Sequence, residues 1–343
     1  MKILVTGANG LLGHHVVMEL LERHEQVSII VRSTANIYFD LEQVEVFAGD
    51  FTDYETLKKA AEACDAVIHA AAVTATNLLH YSDYEKVNVS GSANVLRVCN
   101  ELGINRVVFI SSSNTIGYGT SENPSNEHSP IQFPFTGSHY AQSKLAAEQL
   151  FFEASQLPDK HIIIINSCFL IGGFDTKMSS GRLVKMGYRK PLLFIPRGGK
   201  NFVPVHTVAE AACNALTMGN NGEKHLICGE NLSFREFFEM QKTVGNYKQK
   251  IFEVPDCILL SIGRIGDFLR KKGVKTDVSL INIRQLLVSE FYSGEKAVKA
   301  LKLSSEKLEN AISESIDWIK KEKRYKFCSN IYINSSLRKE KKL

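Results

Sequence analysis

Apolar residues fall into short runs that recur along the chain: Ile3-Leu4-Val5, Val27 to Val31, Val44 to Ala48, Ala66-Val67-Ile68, Val107 to Ile110 and Ile162 to Ile165. Near-continuous apolar runs of this length mark strands covered on both faces, as in a parallel sheet. Between them the apolar positions shift to helical spacing, as at Val16, Val17, Leu20 and Leu21, and again over 53–63, 82–102 and the stretch around 140–150. Strand and helix in alternation predict an α/β fold with a doubly wound parallel sheet. The fourth run is expected to continue into Ala70-Ala71-Ala72. Past Asn166 the rhythm loosens. Helices are predicted over 181–189, 207–218, 258–271 and 304–320, with one more opened by the capping box Ser233 to Glu236. An extended run at 202–206 and a late strand at 226–228 lie among them.

Composition changes this picture little. With 343 residues, 44% hydrophobic and 23% charged, the chain can bury one large domain or a core with a smaller lobe. The net charge of +4 is uneven: residues 320–343 hold nine Lys/Arg and two Glu, which leaves the remainder at −3. The body therefore has no charge for nucleic acid, and the tail reads as a solvated terminus. Seven scattered cysteines without a C-x-x-C spacing argue for a reducing compartment and against a metal or disulfide framework. No apolar run is long enough to span a membrane, and the N-terminus enters a strand at once, so the expected location is cytoplasmic.

The chemistry is concentrated at the ends of the strands. Gly7-Ala8-Asn9-Gly10-Leu11-Leu12-Gly13 follows the first strand and opens a helix, the context in which a glycine-rich turn approaches a dinucleotide pyrophosphate. The spacing is G-x-x-G-x-x-G. Arg32 ends the second strand where an NAD site usually has an acid, and a guanidinium there suits the 2′-phosphate of NADP, with NAD the alternative. Asp50 and Phe51 end the third strand, with Asp50 placed to face the adenine. Ala70 and Ala71 are small residues where a backbone would meet a ligand, and Asn88 lies on the helix that follows. His69 reads as a structural histidine because no carboxylate neighbours it in sequence. Ser111, Ser112 and Ser113 end the fifth strand, where ligands bind in open α/β sheets. Tyr140 and Lys144, four apart, share one face of a helix, and an ammonium beside a phenol is expected to lower its pKa.

Together these segments resemble the extended short-chain dehydrogenase/reductase superfamily, of the NAD-dependent epimerase/dehydratase type. The likeness rests on Thr6 to Gly13, Gly49-Asp50-Phe51, His69-Ala70-Ala71, Ser111 to Ser113, Tyr140 with Lys144, and Val203 to Ala209, and covers roughly residues 1–322. Val31-Arg32-Ser33, Gly172 to Lys177 and Phe291 to Ala297 look closest to dihydroflavonol-reductase-like and hydroxysteroid-dehydrogenase-like members. The resemblance implies a Rossmann-type core over 1–166, to which 200–230 returns. It also implies a smaller, interleaved, mostly helical substrate lobe over 167–199 and 231–322, with a basic tail over 323–343. It further implies Tyr140 as general acid/base, Lys144 as its partner and holder of the nicotinamide ribose, and Ser113, with Ser112 the alternative, as the hydroxyl on the substrate oxygen. The activity it implies is NADP-dependent interconversion of a small carbonyl compound and an alcohol, with a homodimer compatible. A nucleotide-sugar epimerase with tightly held NAD and a non-catalytic dinucleotide sensor are the alternatives. The chain lacks the Arg-Pro-x-x-x-Tyr-Gly-Pro run of many epimerases and the Asp-Glu pair of many dehydratases after Ser113. Apolar residues from Phe169 to Phe202 (Leu170, Phe174, Met178, Leu183, Met186, Tyr188, Leu192, Leu193 and Phe194 among them) are expected partly to line the pocket. Arg182, Arg189 and Arg197 are the only guanidinium groups there for a diphosphate.

Overall fold

The computed structural model describes residues 1–321, so the basic stretch 323–343 lies outside the described residues. Its first half alternates β1 (Lys2–Thr6), α1 (Leu11–Glu22), β2 (Gln26–Val31), β3 (Val44–Ala48), α2 (Tyr54–Ala61), β4 (Ala66–His69), α3 (Tyr81–Tyr84), α4 (Ser90–Glu101), β5 (Arg106–Ser112), α5 (His139–Ser155) and β6 (His161–Ser167). Then come β7 (Phe169–Ile171), α6 (Gly181–Gly187), β8 (Leu192–Ile195), β9 (Gly199–Pro204), α7 (Val205–Asn214), β10 (Lys224–Ile227) and β11 (Glu230–Ser233). The chain continues through α8 (Phe234–Val244), β12 (Lys250–Glu253), α9 (Asp256–Lys271), α10 (Leu280–Leu287), β13 (Ser289–Glu290), α11 (Glu295–Leu301) and a further helix over 308–321.

Seven strands form one sheet in the order β10-β6-β5-β4-β1-β2-β3, every neighbouring pair parallel. This is the doubly wound Rossmann-type arrangement, with its change of winding direction between β1 and β4. The period of two along a strand sends alternate residues to opposite faces. Ile3 and Val5 pack with Val16, Val17 and Leu20 of α1 and Val208 and Ala212 of α7. Leu4 packs on the other face with Leu57, Val95, Val98 and Phe151. Because both faces are covered over β1, β4, β5 and β6, these inner strands are almost wholly apolar, as their sequence suggested, whereas the edge strand β3 is largely exposed.

Local signals set the helix starts. Asp53 caps α2 by accepting from the Thr56 N–H, and Ser233 with Glu236 forms the capping box of α8. Some boundaries differ from the sequence reading. The fourth strand stops at His69, because Ala70 to Ala72 leave the sheet to form the cleft wall. The extended run expected over 202–206 ends at Pro204, whose fixed φ suits the entry to α7. The helix expected over 304–320 starts only at residue 308.

The region past β6 holds a third buried cluster in which Val184, Phe202, Phe237 and Ile312 meet. It also holds sheets that no sequence pattern announced. One has β9 paired with β7, β11 and β13, and the other pairs β8 with β12. β13 has two residues and β11 reads Glu-Asn-Leu-Ser, so neither carries a hydrophobic period.

Candidate active site

The sheet's carboxyl edge opens into a cleft of about 280 Å³ above β1 and β4. Gly7, Asn9, Gly10, Leu11, Leu12, Gly13, Arg32, Asp50, Phe51, Ala70, Ala71, Ser111, Tyr140 and Lys144 all line it. Asn88 and Ser113 do not.

At one end the wall is backbone. Gly7 has φ +81°, and a Cβ there would lie 2.7 Å from the Ala71 nitrogen. A Cβ on Gly13 would meet the Gly7 carbonyl oxygen at 2.2 Å. These two glycines let turn, helix and β4 come close enough to leave the α1 N-terminus facing the cleft, where its free N–H groups and dipole suit a pyrophosphate. The cradle therefore fits a dinucleotide. Arg32 stands at the rim, its side chain 74% exposed and 3.7 Å from Asp50. Asp50 accepts from both the backbone N–H and the hydroxyl of Thr52. Lys177, absent from the sequence-based site, donates to Asn9 Oδ1 at 3.1 Å. Burial first, and then Arg32, hold its pKa below the usual lysine value. Two cations thus share this corner.

At the other end the wall is made of side chains. Tyr140 and Lys144 project from α5, whose first turn is capped by Ser138. Lys144 is 2% exposed, donates to the Ile110 carbonyl at 2.6 Å and lies 4.1 Å over the Phe109 ring. Burial lowers its pKa to about 7, partly offset by Glu148. Glu148, one turn on, is buried and accepts from Ser111, Thr115, Asn166 and Lys224. Sequence reading passed over it as a helix former, although a carboxylate four residues after a buried lysine was the available signal.

The phenol departs from expectation. Burial pushes the Tyr140 pKa above its ordinary value and Ser112 pulls it back in part, while the Lys144 ammonium donates to the Ile110 carbonyl. Ser112 is thus the serine whose side chain acts on the phenol. Ser113 lies on the far side of the strand end, where its hydroxyl acts on Cys168 and Tyr292 and its carbonyl accepts from the Tyr292 hydroxyl at 3.3 Å.

Asn88 is buried, with its amide committed to Val73 and Ser143. It fastens the loop after β4 to α5 and makes no contact with the cleft. His69 is fully buried, its pKa lowered to about 3 by burial first and Lys144 second. Ser92 gives its proton to the Asn88 carbonyl, so His69 Nε2 donates to Ser92 at 3.1 Å and Nδ1 accepts from Thr6 at 2.7 Å. It is a structural link, as read from the sequence.

The apolar residues expected to form a pocket are mostly elsewhere. Phe202 stacks on Phe237 in the lobe core, while Leu192 and Phe194 face outward on the exposed side of β8. Of that set only Leu170 lines the cleft. Arg182 pairs with Asp277 at 2.6 Å, Arg197 with Asp256 at 2.8 Å, and Arg189 lies over Tyr188.

The model of the NAD dependent epimerase/dehydratase family matches residues 3–229. The chain is 26% identical to a putative dihydroflavonol 4-reductase of Synechocystis over 331 residues, covering 92% of this chain and 93% of the relative. It is 25% identical over 346 residues to a decarboxylating sterol-4-alpha-carboxylate 3-dehydrogenase of Candida albicans, covering 93% and 97%. The UDP-glucose 4-epimerase of Thermotoga maritima, solved with UDP-glucose, shares the fold with a TM-score of 0.73 at 18% identity, over 94% and 99% of the two chains. Among the described residues no helix is long and apolar enough to cross a membrane. The chain belongs to the NAD dependent epimerase/dehydratase family and is an NAD(P)-dependent oxidoreductase of the short-chain dehydrogenase/reductase type.

Proposed function

We propose that the protein is an NADP-dependent enzyme that interconverts a relatively apolar ketone or aldehyde and its alcohol. The observation that carries this reading is that Tyr140 and Lys144 line one end of a cleft whose other end is the glycine turn, with Ser112 acting on the Tyr140 phenol from the end of β5. The dinucleotide, when bound, supplies a hydride to the carbonyl carbon or takes one from the alcohol. Tyr140 gives its proton to the substrate oxygen as the alcohol forms, and takes it back in the reverse direction. Ser112 holds that oxygen by a hydrogen bond, the part the family resemblance gave to Ser113. Lys144 holds the nicotinamide ribose, and Glu148 fixes the helix face from which it reaches the cleft. Arg32, with Lys177 beside it, would pair with a 2′-phosphate. The lobe formed by 167–199 and 231–322 selects the substrate.

Two findings favour a reductase over an epimerase. The guanidinium groups available for a diphosphate are engaged within the protein at Arg182, Arg189 and Arg197. The two full-length relatives carry reductase and dehydrogenase names. The test is NADPH oxidation with a panel of apolar ketones and aldehydes, alongside UDP-sugars. Stoichiometric NADPH consumption with an apolar carbonyl compound is expected. Sugar-nucleotide interconversion by protein that purifies with NAD and consumes no NADPH would overturn it.

A further inference from the structure

One cluster lies apart from the cleft and has no part in the chemistry above. His15 on α1, His206 at the start of α7 and Glu314 on the helix over 308–321 bring one donor atom each within 4.8 Å of one another. His15 is 3% exposed, and its Nδ1 lies 2.8 Å from the Leu11 carbonyl. A carbonyl only accepts, so Nδ1 carries a proton and Nε2 is the nitrogen left to face a ligand. That nitrogen is buried and has no hydrogen-bond partner. It lies 3.7 Å from a Glu314 oxygen, beyond hydrogen-bond distance. The other Glu314 oxygen is 3.1 Å from His206 Nε2, and the two imidazole rings stand nearly perpendicular with centroids 4.6 Å apart.

An orphaned acceptor aimed at a carboxylate inside a protein is unfavourable unless a cation lies between them. A proton would serve if it closed a hydrogen bond, but the 3.7 Å separation does not. A metal ion bound at about 2.0–2.1 Å from each ligand needs donors about 3.3 Å apart, so modest side-chain movements suffice. The Nδ1–H to carbonyl bond of His15 is the outer-shell arrangement that orients a ligating imidazole. Two imidazoles and one carboxylate suit zinc rather than magnesium or calcium, which prefer all-oxygen sites. Glu306 and Glu19 add negative field around His206, while His14 is adjacent, its pKa lowered to about 4 mainly by burial.

We infer that His15, His206 and Glu314 form a zinc site that fastens α1, α7 and the helix over 308–321 together. Half-exposed His206 leaves the fourth position open to water. The ion is structural. It lies beside α1, whose N-terminus forms the dinucleotide turn, but no ligand of it lines the cleft.

The test uses the full chain without an affinity tag, stripped with EDTA. Zinc titration followed by calorimetry should give one ion per chain, and saturating zinc should raise Tm by at least ~3 °C. Cobalt should give the absorption of a four-coordinate ion without a thiolate charge-transfer band. His206→Ala and Glu314→Gln should each weaken zinc binding by at least ~10-fold, the lower end of what losing even an outer-shell partner costs. Retained dinucleotide binding would show that both variants are folded. Absence of a zinc-dependent Tm rise, a thiolate band with cobalt, or unchanged zinc affinity in both variants would overturn the assignment.

Discussion

The two ends of the cleft are built on different principles. The phosphate end is backbone: a turn, a helix N-terminus and two glycines whose side chains would collide with their neighbours. Its parts lie within a few residues of each other. The catalytic end is made of side chains delivered by β5, α5 and β6, with a buried carboxylate, Glu148, gathering Ser111, Thr115, Asn166 and Lys224 around it. The first kind of site depends on the absence of side chains at two positions, whereas the second depends on which way each side chain turns at a strand end.

The contrast can be broken most directly at Glu148. Replacing it with Ala leaves Lys224 without its ion-pair partner, Ser111, Thr115 and Asn166 without this acceptor, and the buried Lys144 ammonium without a nearby negative charge. A loss of about 3–5 kcal/mol in unfolding free energy is expected, as for other buried ion pairs deprived of one partner. Denaturant unfolding checks it, and a loss below about 1 kcal/mol would show that the network is not integral to this end of the cleft.

The next effect separates two adjacent serines. Ser112→Ala should lower kcat by about 10²-fold, as for removal of one preorganised donor to a reacting oxygen. Ser113→Ala should change kcat little, because its hydroxyl serves Tyr292 and Cys168. The reverse order in steady-state rates would restore the serine assignment implied by family resemblance.

At the phosphate end, wild-type protein should bind NADPH over NADH by about tenfold, or roughly 1.4 kcal/mol. Arg32→Ser should abolish the preference while leaving kcat close to wild type. Fluorescence titration with both dinucleotides measures this, and equal affinities in the wild type would remove Arg32 from the site.

The smallest effect is in the pH profile. Because burial holds the Tyr140 phenol above its ordinary value, the proton-donating form persists from pH 6 to 9, and the reductive kcat should be nearly flat there. The oxidative kcat needs the phenolate and should rise with pH. Lys144, lowered to about 7, loses its charge above that pH, so the KM for the dinucleotide should increase on the alkaline side. A reductive kcat that falls tenfold per unit above pH 7 would place the proton donor elsewhere.

The sequence disclosed the half of this site that is local. The glycine turn, Arg32 and the seven parallel strands follow from short-range patterns: apolar runs, small residues at strand ends, and caps such as Asp53. Ser112 and Ser113 could not be told apart, because β5 ends at Ser112 and a tight turn over Ser113–Thr115 breaks the alternation by which facing is read. Glu148 was missed because helical spacing shows which residues share a face but not that the face is buried. The small sheets around β9 and β8 depend on pairing partners up to about 90 residues apart, and their strands are too short to carry a period of two. The apolar residues from Phe169 to Phe202 were expected partly to line a pocket, but of them only Leu170 lines the cleft.

In the proposed mechanism Tyr140 moves the proton at a site whose dinucleotide end is independent of it. The direct measurement is single-turnover NADPH oxidation by Tyr140→Phe with a turned-over carbonyl substrate, alongside the NADPH Kd of the same variant. A Kd within about twofold of wild type and a rate reduced by about 10²–10⁴-fold, the range for loss of a general acid, are expected. Hydride transfer near the wild-type rate would contradict it.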